Sequence, residues 1–257
     1  VVQSLAKWKR MALGKYGIPP RDGIYTDMNA LRKDEVLDNL HSIYVDQWDW
    51  EQSIEEADRN LDYLKMTVRK IVKAIAETKE LVNRAFPSLR LRFSEDVHFI
   101  TAEELRRRFP DLSPQEREDA IAKEHQTVFI IGIGWPLGDG KPHDLRAPDY
   151  DDWNLNGDIL VWYEPLNRAV ELSSMGIRVD KTSLLSQLSA CSATEKLKYP
   201  FHQDIINGRL PLSIGGGIGQ SRLCLVMLEK VHIGEVQVSL WSDEDLKELE
   251  KAGIPIL

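Results

Sequence analysis

Cysteine is scarce: Cys191 and Cys224 are the only two in 257 residues. Neither stands in a metal-binding or redox spacing, so a disulfide scaffold and a cysteine zinc site are excluded and a reducing, cytoplasmic compartment is expected. No run of 18 apolar residues occurs, so no membrane-spanning helix is expected, and no signal peptide is recognisable. Positive charge is in short supply. The 33 Lys and Arg face 41 Asp and Glu, a net charge of −8, the wrong sign for a non-specific nucleic-acid surface. His41, His98, His125, His143, His202 and His232 form no i, i+4 pair, so neither a zinc site nor a catalytic histidine is assigned. No Gly-x-Ser-x-Gly elbow is present and no Gly-Lys-Ser/Thr follows a glycine loop, which leaves out two large reaction classes. Internal repeats and low-complexity tracts are missing as well.

What is present is a mixed pattern of strands and helices. With 42% hydrophobic and 29% charged residues, the length suits one large domain or two small ones. Val1-Val2 opens without methionine and reads as a strand already under way, so a preceding segment is expected. Residues 4–13 read as a short basic helix, and 23–32 and 42–50 as strands. A long helix is expected over 53–85, where Ile54, Ala57, Leu61, Leu64, Val68, Ile71, Ile75 and Val82 follow the 3.6 period until Pro87 ends it. A strand at 97–100 precedes Thr101, which with Glu104 forms a capping box. Ser113-Pro114 with Glu116 starts a further helix. Then come a strand at 127–133, a functional-length loop at 134–153, and a hairpin of 158–163 with 169–174 around Pro165-Leu166-Asn167. Helices near 181–190 and 200–208, a strand near Val236 and a helix from Ser242 to about Gly253 complete the chain. Hairpins outnumber βαβ units, which predicts an α+β fold around an antiparallel sheet flanked by helices.

The segment Ser213-Ile214-Gly215-Gly216-Gly217-Ile218-Gly219-Gln220-Ser221-Arg222-Leu223 is the most informative. Its glycines let the backbone approach a flat ligand or a neighbouring strand closely. Arg222 falls in the first turn of the following helix, where the dipole disfavours a cation, so an anion such as a phosphate is implied; a glycine turn with a solvated arginine is the other reading. In 42–51, alternation puts Gln47, Asp49 and Glu51 on one face and Trp48 and Trp50 on the other. Tryptophans ordinarily mark a core, and Arg32 at the end of the adjacent strand could meet the polar face; an edge strand with a solvated face remains open. Asp158 and Glu171 on neighbouring strands either hold a cation between them or stand apart out of register. Mg²⁺ favours one or two carboxylates plus phosphate oxygens. The aspartate-rich stretch 144–153 around Arg146 does not match the EF-hand template and reads as a substrate-facing or a solvated loop. Small residues before Arg178 leave it able to clamp a carboxylate bidentately, or to form a surface ion pair.

Together the strings SLAKWKR (4–10), ALRKDE (30–35), YVDQWDWE (44–51), RAPDYDDW (146–153), LNGDILVW (155–162), ELSSMGIRVD (171–180) and GGGIGQSRL (215–223) resemble the ammonia-dependent asparagine synthetases, the aspartate–ammonia ligases. The resemblance covers nearly the whole chain, in order. It implies a single domain, residues 1–257, with the catalytic fold of class II aminoacyl-tRNA synthetases: an antiparallel sheet flanked by helices, dimeric, lacking here the N-terminal part of the family domain. It implies ATP, Mg²⁺, L-aspartate and ammonia as the molecules bound, and a homodimer that takes neither nucleic acid nor membrane. Arg32 resembles the motif 2 arginine on the α-phosphate, and Glu35 lies in the loop facing adenine. Arg222 resembles the motif 3 arginine on the γ-phosphate, with Gly217 and Gly219 letting the nucleotide approach. Asp158 and Glu171 resemble the metal-holding carboxylates. Lys9, Gln47, Ser174 and Arg178 match residues around aspartate, Arg178 as the α-carboxylate clamp. Arg146 and Asp151 match the loop over the site, where Asp151 could bind an amino group or ammonium. The family is expected to carry a longer insertion where Trp153 here runs almost directly into Leu155, so that either a deletion or a mobile lid is expected there.

Rival readings are few. A tRNA-charging enzyme needs an anticodon-binding domain and a basic surface, and neither is recognisable. A glutamine-using synthetase needs a nucleophilic cysteine in a glutaminase motif. A non-catalytic nucleotide-binding paralogue would be expected to lose Arg32, Arg222 or an acidic metal ligand, and all are present.

Overall fold

The computed structural model describes residues 4–257; the strand expected at Val1-Val2 lies outside them. Strands β1 (Gly23–Leu31), β2 (Tyr44–Ser53), β3 (His98–Thr101), β4 (Thr127–Ile131), β5 (Asp151–Tyr163), β6 (Arg168–Arg178) and β7 (Ser213–Gly219) form one seven-stranded sheet in the order β1-β2-β7-β6-β5-β4-β3. Every neighbouring pair is antiparallel except β3 and β4, which run parallel. The sheet is therefore mixed, mostly antiparallel. The parallel pair is joined through helices α3 (Ala102–Arg108) and α4 (Pro114–His125), because parallel neighbours need a crossover.

The remaining helices are α1 (Ala6–Tyr16), α2 (Leu61–Ala85), α5 (Lys181–Ala190), α6 (Pro200–Ile206), α7 (Gln220–Met227) and α8 (Asp243–Lys251). Helix α2 covers one face of the sheet. Its Leu64, Val68 and Val72 pack on Phe129, Ile159, Met175, Ile177 and Ile214. On the opposite face, α3 and α4 press Leu105, Ile121 and Ala122 onto Val128, Ile130, Leu160 and Trp162. That face is left open over β2, β7 and β6, between α1, α7 and the loop that leads into β5.

Several boundaries follow local chemistry. The Thr101–Glu104 box closes reciprocally, with Glu104 N donating to Thr101 Oγ1 at 3.1 Å and Thr101 N donating to Glu104 Oε2 at 2.9 Å. The Ser113–Glu116 box does the same for α4. Helix α2 starts at Leu61, not 53, because Ser53 still pairs with Ser213 in the ladder and Asn60 caps Tyr63 N at 2.9 Å. The strand expected near Val236 is absent. A 3-10 turn over Ile233–Glu235, capped by His232, takes its place. The glycine segment 213–219 is a central strand, paired with β2 on one side and β6 on the other. Strand β5 begins at Asp151 and runs unbroken through Asn154.

Candidate active site

The sheet register assembles the floor of the site. Asp49 stands opposite Gly217, Gly217 opposite Ser174, and Ser174 opposite Asp158. Residues directly across a sheet share a face, so one rung crosses β2, β7, β6 and β5 from carboxylate to carboxylate. The next rung is Glu51, Gly215, Gly176 and Asn156. A Cβ on Gly217 would lie 2.8 Å from Asp49 Oδ1 and 2.9 Å from Gln47 Oε1. One on Gly215 would lie 2.1 Å from Glu51 Oε2 and 2.5 Å from Arg178 Nη2. These two glycines make room for the side chains of β2 and for Arg178. Gly216 faces the other way, against Met175, and Gly219 meets nothing closer than 3.6 Å. Of the four, Gly219 and Gly217 reach the ligand-facing side, and the others serve the packing of the sheet.

A cavity of about 330 Å³ lies over this floor. Arg32, Glu35, Gln47, Arg146, Glu171, Ser174, Gly217, Gly219 and Arg222 all line it. Lys9, Asp151, Asp158 and Arg178, placed at the substrate or metal by resemblance, stand behind its wall. Arg32 lies 3.7 Å from Glu35. Arg222 donates from Nη1 to the Glu171 carbonyl at 3.3 Å and from Nε to Leu40 O at 3.4 Å, which holds it across the opening between β6 and the segment before β2.

The buried wall is a charge network. Arg178 is 3% exposed and donates from Nε and Nη2 to Glu51 and from Nη1 to Asp151. Ser213 Oγ donates to Glu51 Oε1 at 2.7 Å. Burial alone would raise the Glu51 pKa; Arg178, Lys9 and Ser213 outweigh it and hold that carboxyl below the usual range. Asp151 receives a single N–H, and burial, with Glu51 added, pushes it up against the pull of Arg178. It is thus engaged by Arg178 and does not line the cavity. Lys9 spends its ammonium on Asp49 Oδ1 at 3.0 Å and on the carbonyls of Trp50 and Gly216, both at 3.1 Å. Burial and Arg178 lower its pKa. The tryptophans of β2 are the less buried side of that strand: Trp48 is 37% exposed, whereas Glu51 is 1% exposed. Trp50 alone reaches the core under α2.

Asp158 and Glu171 converge through an irregularity. Ile159 faces Ser173 while Leu160 faces Glu171, so Leu172 is the extra residue of a β-bulge. Without it Glu171 would point to the α2 face. Arg146 pairs through Nη2 with Asp158 Oδ2 and through Nη1 with Asp144 Oδ2 at 2.6 Å. Glu171 Oε2 lies 3.8 Å from Arg222 Nη1. Burial and the Asp158 charge raise the Glu171 pKa. The other oxygen of Asp158, Oδ1, is buried with no hydrogen-bond partner among the described residues. A buried carboxylate oxygen without a partner, beside a second carboxylate, is a donor set short of positive charge, and it fits a hard divalent cation. No group of three or more His, Cys, Asp or Glu is placed to hold a metal among the described residues, so further oxygens would come from a ligand.

Three buried groups behind the loop were given no individual role from the sequence. His143 meets Glu118 Oε1 through Nε2 at 2.9 Å, and Asp149 accepts from Lys7 Nζ at 2.6 Å and meets His202 Nε2 at 3.0 Å. No i, i+4 spacing marks such pairs; the length of the loop was their one signal.

A family model described as aspartate-ammonia ligase matches residues 1–253. The aspartate–ammonia ligase of Lactobacillus johnsonii is 56% identical over 258 residues, spanning 100% of this chain and 77% of the relative. That of Clostridium tetani is 56% identical over 257 residues, spanning 100% and 75%. An alignment of that length leaves no room for a long insertion after Trp153 in the latter. Among solved structures, asparaginyl-tRNA synthetase of Entamoeba histolytica in complex with asparaginyl-adenylate gives a TM-score of 0.65 at 16% identity, over 92% of this chain and 55% of that one. Aspartyl-tRNA synthetase of the same organism gives 0.66 at 17%, over 95% and 52%. This chain thus spans about half of each synthetase, and the likeness is one of fold: the class II synthetase catalytic fold.

Proposed function

The chain belongs to the aspartate–ammonia ligase family and is a C–N bond-forming ligase making L-asparagine from L-aspartate, ammonia and ATP; we propose that it works through a β-aspartyl adenylate formed in this cavity. A carboxylate is a poor electrophile, so its oxygen must become a leaving group. The β-carboxylate attacks the α-phosphorus of ATP in line, and pyrophosphate departs. Ammonia then attacks the acyl carbon and expels AMP. The protein contributes positioning and charge complementarity. Arg32 takes the α-phosphate and Arg222 the departing pyrophosphate. Gln47 and Ser174 face aspartate from the floor. Arg178 spends three of its five N–H groups on Glu51 and Asp151, which leaves two for the α-carboxylate. Asp158 and Glu171 would hold Mg²⁺, which when bound neutralises phosphate oxygens.

The observation that carries this reading is the convergence of Arg32, Arg222, Glu171 and Ser174, from three separate stretches of chain, on one cavity. Arg32→Ala should lower aspartate-dependent ATP–pyrophosphate exchange by ~10²–10³; undiminished exchange removes that assignment. Product analysis must give AMP, and ADP would overturn the adenylate. Because ammonia and not ammonium attacks, turnover at fixed total ammonium should rise with pH until another group titrates.

We also read the chain as one catalytic domain on one sheet. Trp8, Met11 and Tyr25 are exposed on α1 and β1 at the sheet edge, which supports a homodimer, testable by sedimentation. No helix among the described residues is long and apolar enough to cross a membrane, and both cysteines are free and exposed, which supports a cytoplasmic location.

A further inference from the structure

Arg146 occupies the place where cation charge is wanted, and it does so imperfectly. Its side chain is 11% exposed and pairs with Asp158 Oδ2 and Asp144 Oδ2. Its own Nε and the Oδ1 of Asp158 are both buried without a hydrogen-bond partner among the described residues. A planar guanidinium spent on Asp158 and Asp144 leaves Glu171 with only Arg222 at 3.8 Å. One positive charge of fixed fork geometry cannot satisfy two converging carboxylates, whereas a divalent cation can.

Arg146 also sits on a stretch of the loop that its own guanidinium ties to the sheet. Upstream, buried His143 is pinned to Glu118 at 2.9 Å. Downstream, Gln187 Nε2 donates to Pro148 O at 3.1 Å, and Asp149 is held by Lys7 and His202. Between these anchors every bond among the described residues is local except the one from Arg146 to Asp158, the others being such as Leu145 N to Asp144 Oδ1 at 2.7 Å, and Leu145 is 82% exposed.

We propose that Arg146 is the resident counter-ion of the Asp158–Glu171 pair, that a divalent cation displaces it, and that residues 144–147 then carry the freed guanidinium onto the nucleotide's phosphates. This rests on reading that pair as the metal-holding one. The exchange ties metal loading to phosphate capture: without metal the arginine is held by protein, and with metal it is released to an anion. A guanidinium keeps its proton in proteins, so charge is not lost in the transfer.

The test is Mn²⁺ binding to the full protein without nucleotide, read by electron paramagnetic resonance of the free ion, alongside the KM for ATP. In Arg146→Gln the Mn²⁺ dissociation constant should fall about tenfold, equivalent to ~1.4 kcal/mol, while the KM for ATP rises. Opposite signs separate exchange from a structural role, which would weaken both. Arg146→Lys, which keeps the charge, should bind Mn²⁺ as the wild type does. Unchanged or weaker Mn²⁺ binding in Arg146→Gln overturns the exchange. Asp158→Asn distinguishes the two levels: if it leaves Mn²⁺ binding intact, the metal reading itself fails. Should Arg146→Gln not fold, the wild type decides, because saturating Mn²⁺ alone must speed amide exchange at residues 144–147. Unaffected exchange there overturns the proposal.

Discussion

Glu51 is the residue on which the buried wall turns. It accepts from Arg178 twice and from Ser213, at 1% exposure, and removing one member of such a pair strands the other's charge. Glu51→Gln should therefore cost about 3–5 kcal/mol in urea unfolding. Its native pKa lies below an unfolded value of about 4.3. The stability it lends is whole above that value and is lost as pH falls through the native pKa. Wild-type Tm should thus drop on the acid side more steeply than that of Glu51→Gln, and parallel acid limbs would refute the linkage. At this scale the sequence was legible wherever a residue type carries its own chemistry: Arg32, Arg222, Glu171 and Ser174 face one cavity. It was illegible where the role depends on who stands opposite. Alternation put Gln47, Asp49 and Glu51 on one face, but only the pairing of β2 with β7 buries that face against Arg178 and leaves Trp48 outside.

Among the elements, β7 makes the sharpest demand. Its glycines read from sequence as a loop because four side-chain-free positions lack the branched residues that strands favour. Pairing on both sides supplies what propensity withholds, and the missing side chains leave the volume that Glu51, Arg178, Met175 and Gln47 fill. Two substitutions separate the roles. Gly215→Ala places a Cβ 2.1 Å from Glu51 Oε2 and should lower stability by ~1–3 kcal/mol or more, read as a fall in the urea midpoint. Gly219→Ala has 3.6 Å to its nearest neighbour and should keep the midpoint while raising the KM for ATP, since its methyl enters the cavity. Equal midpoints for both would contradict this division. The starts of α3 and α4 were legible through their capping boxes, which join residues three apart, whereas apolar periodicity alone set the start of α2 too early. The bulge at Leu172 was not, because a register shift between two strands leaves no mark in either alone.

At the scale of the whole molecule, charge and architecture point different ways. The fold is that of tRNA-charging enzymes, yet the chain carries a net charge of −8. Phosphate-backbone binding draws on released counterions and needs a cationic surface. The protein should accordingly fail to retard tRNA in a mobility assay at physiological salt, and fail to esterify it when aspartate and ATP are saturating; measurable aminoacylation would reverse that expectation. The general architecture was legible from the count of hairpins, whereas the parallel β3–β4 pair was hidden because its crossover consists of two ordinary helices. The rung of Asp49, Gly217, Ser174 and Asp158 has one last consequence. Adjacent strands are spaced about 4.8 Å apart, so three steps fix a span of roughly 14 Å between the two outer strands. That span is a ruler graduated by backbone hydrogen bonds, and no side-chain substitution can rescale it. Substitution along the rung changes which groups occupy it but not how far apart the strands hold them, so the breadth of the floor is set by the ladder itself.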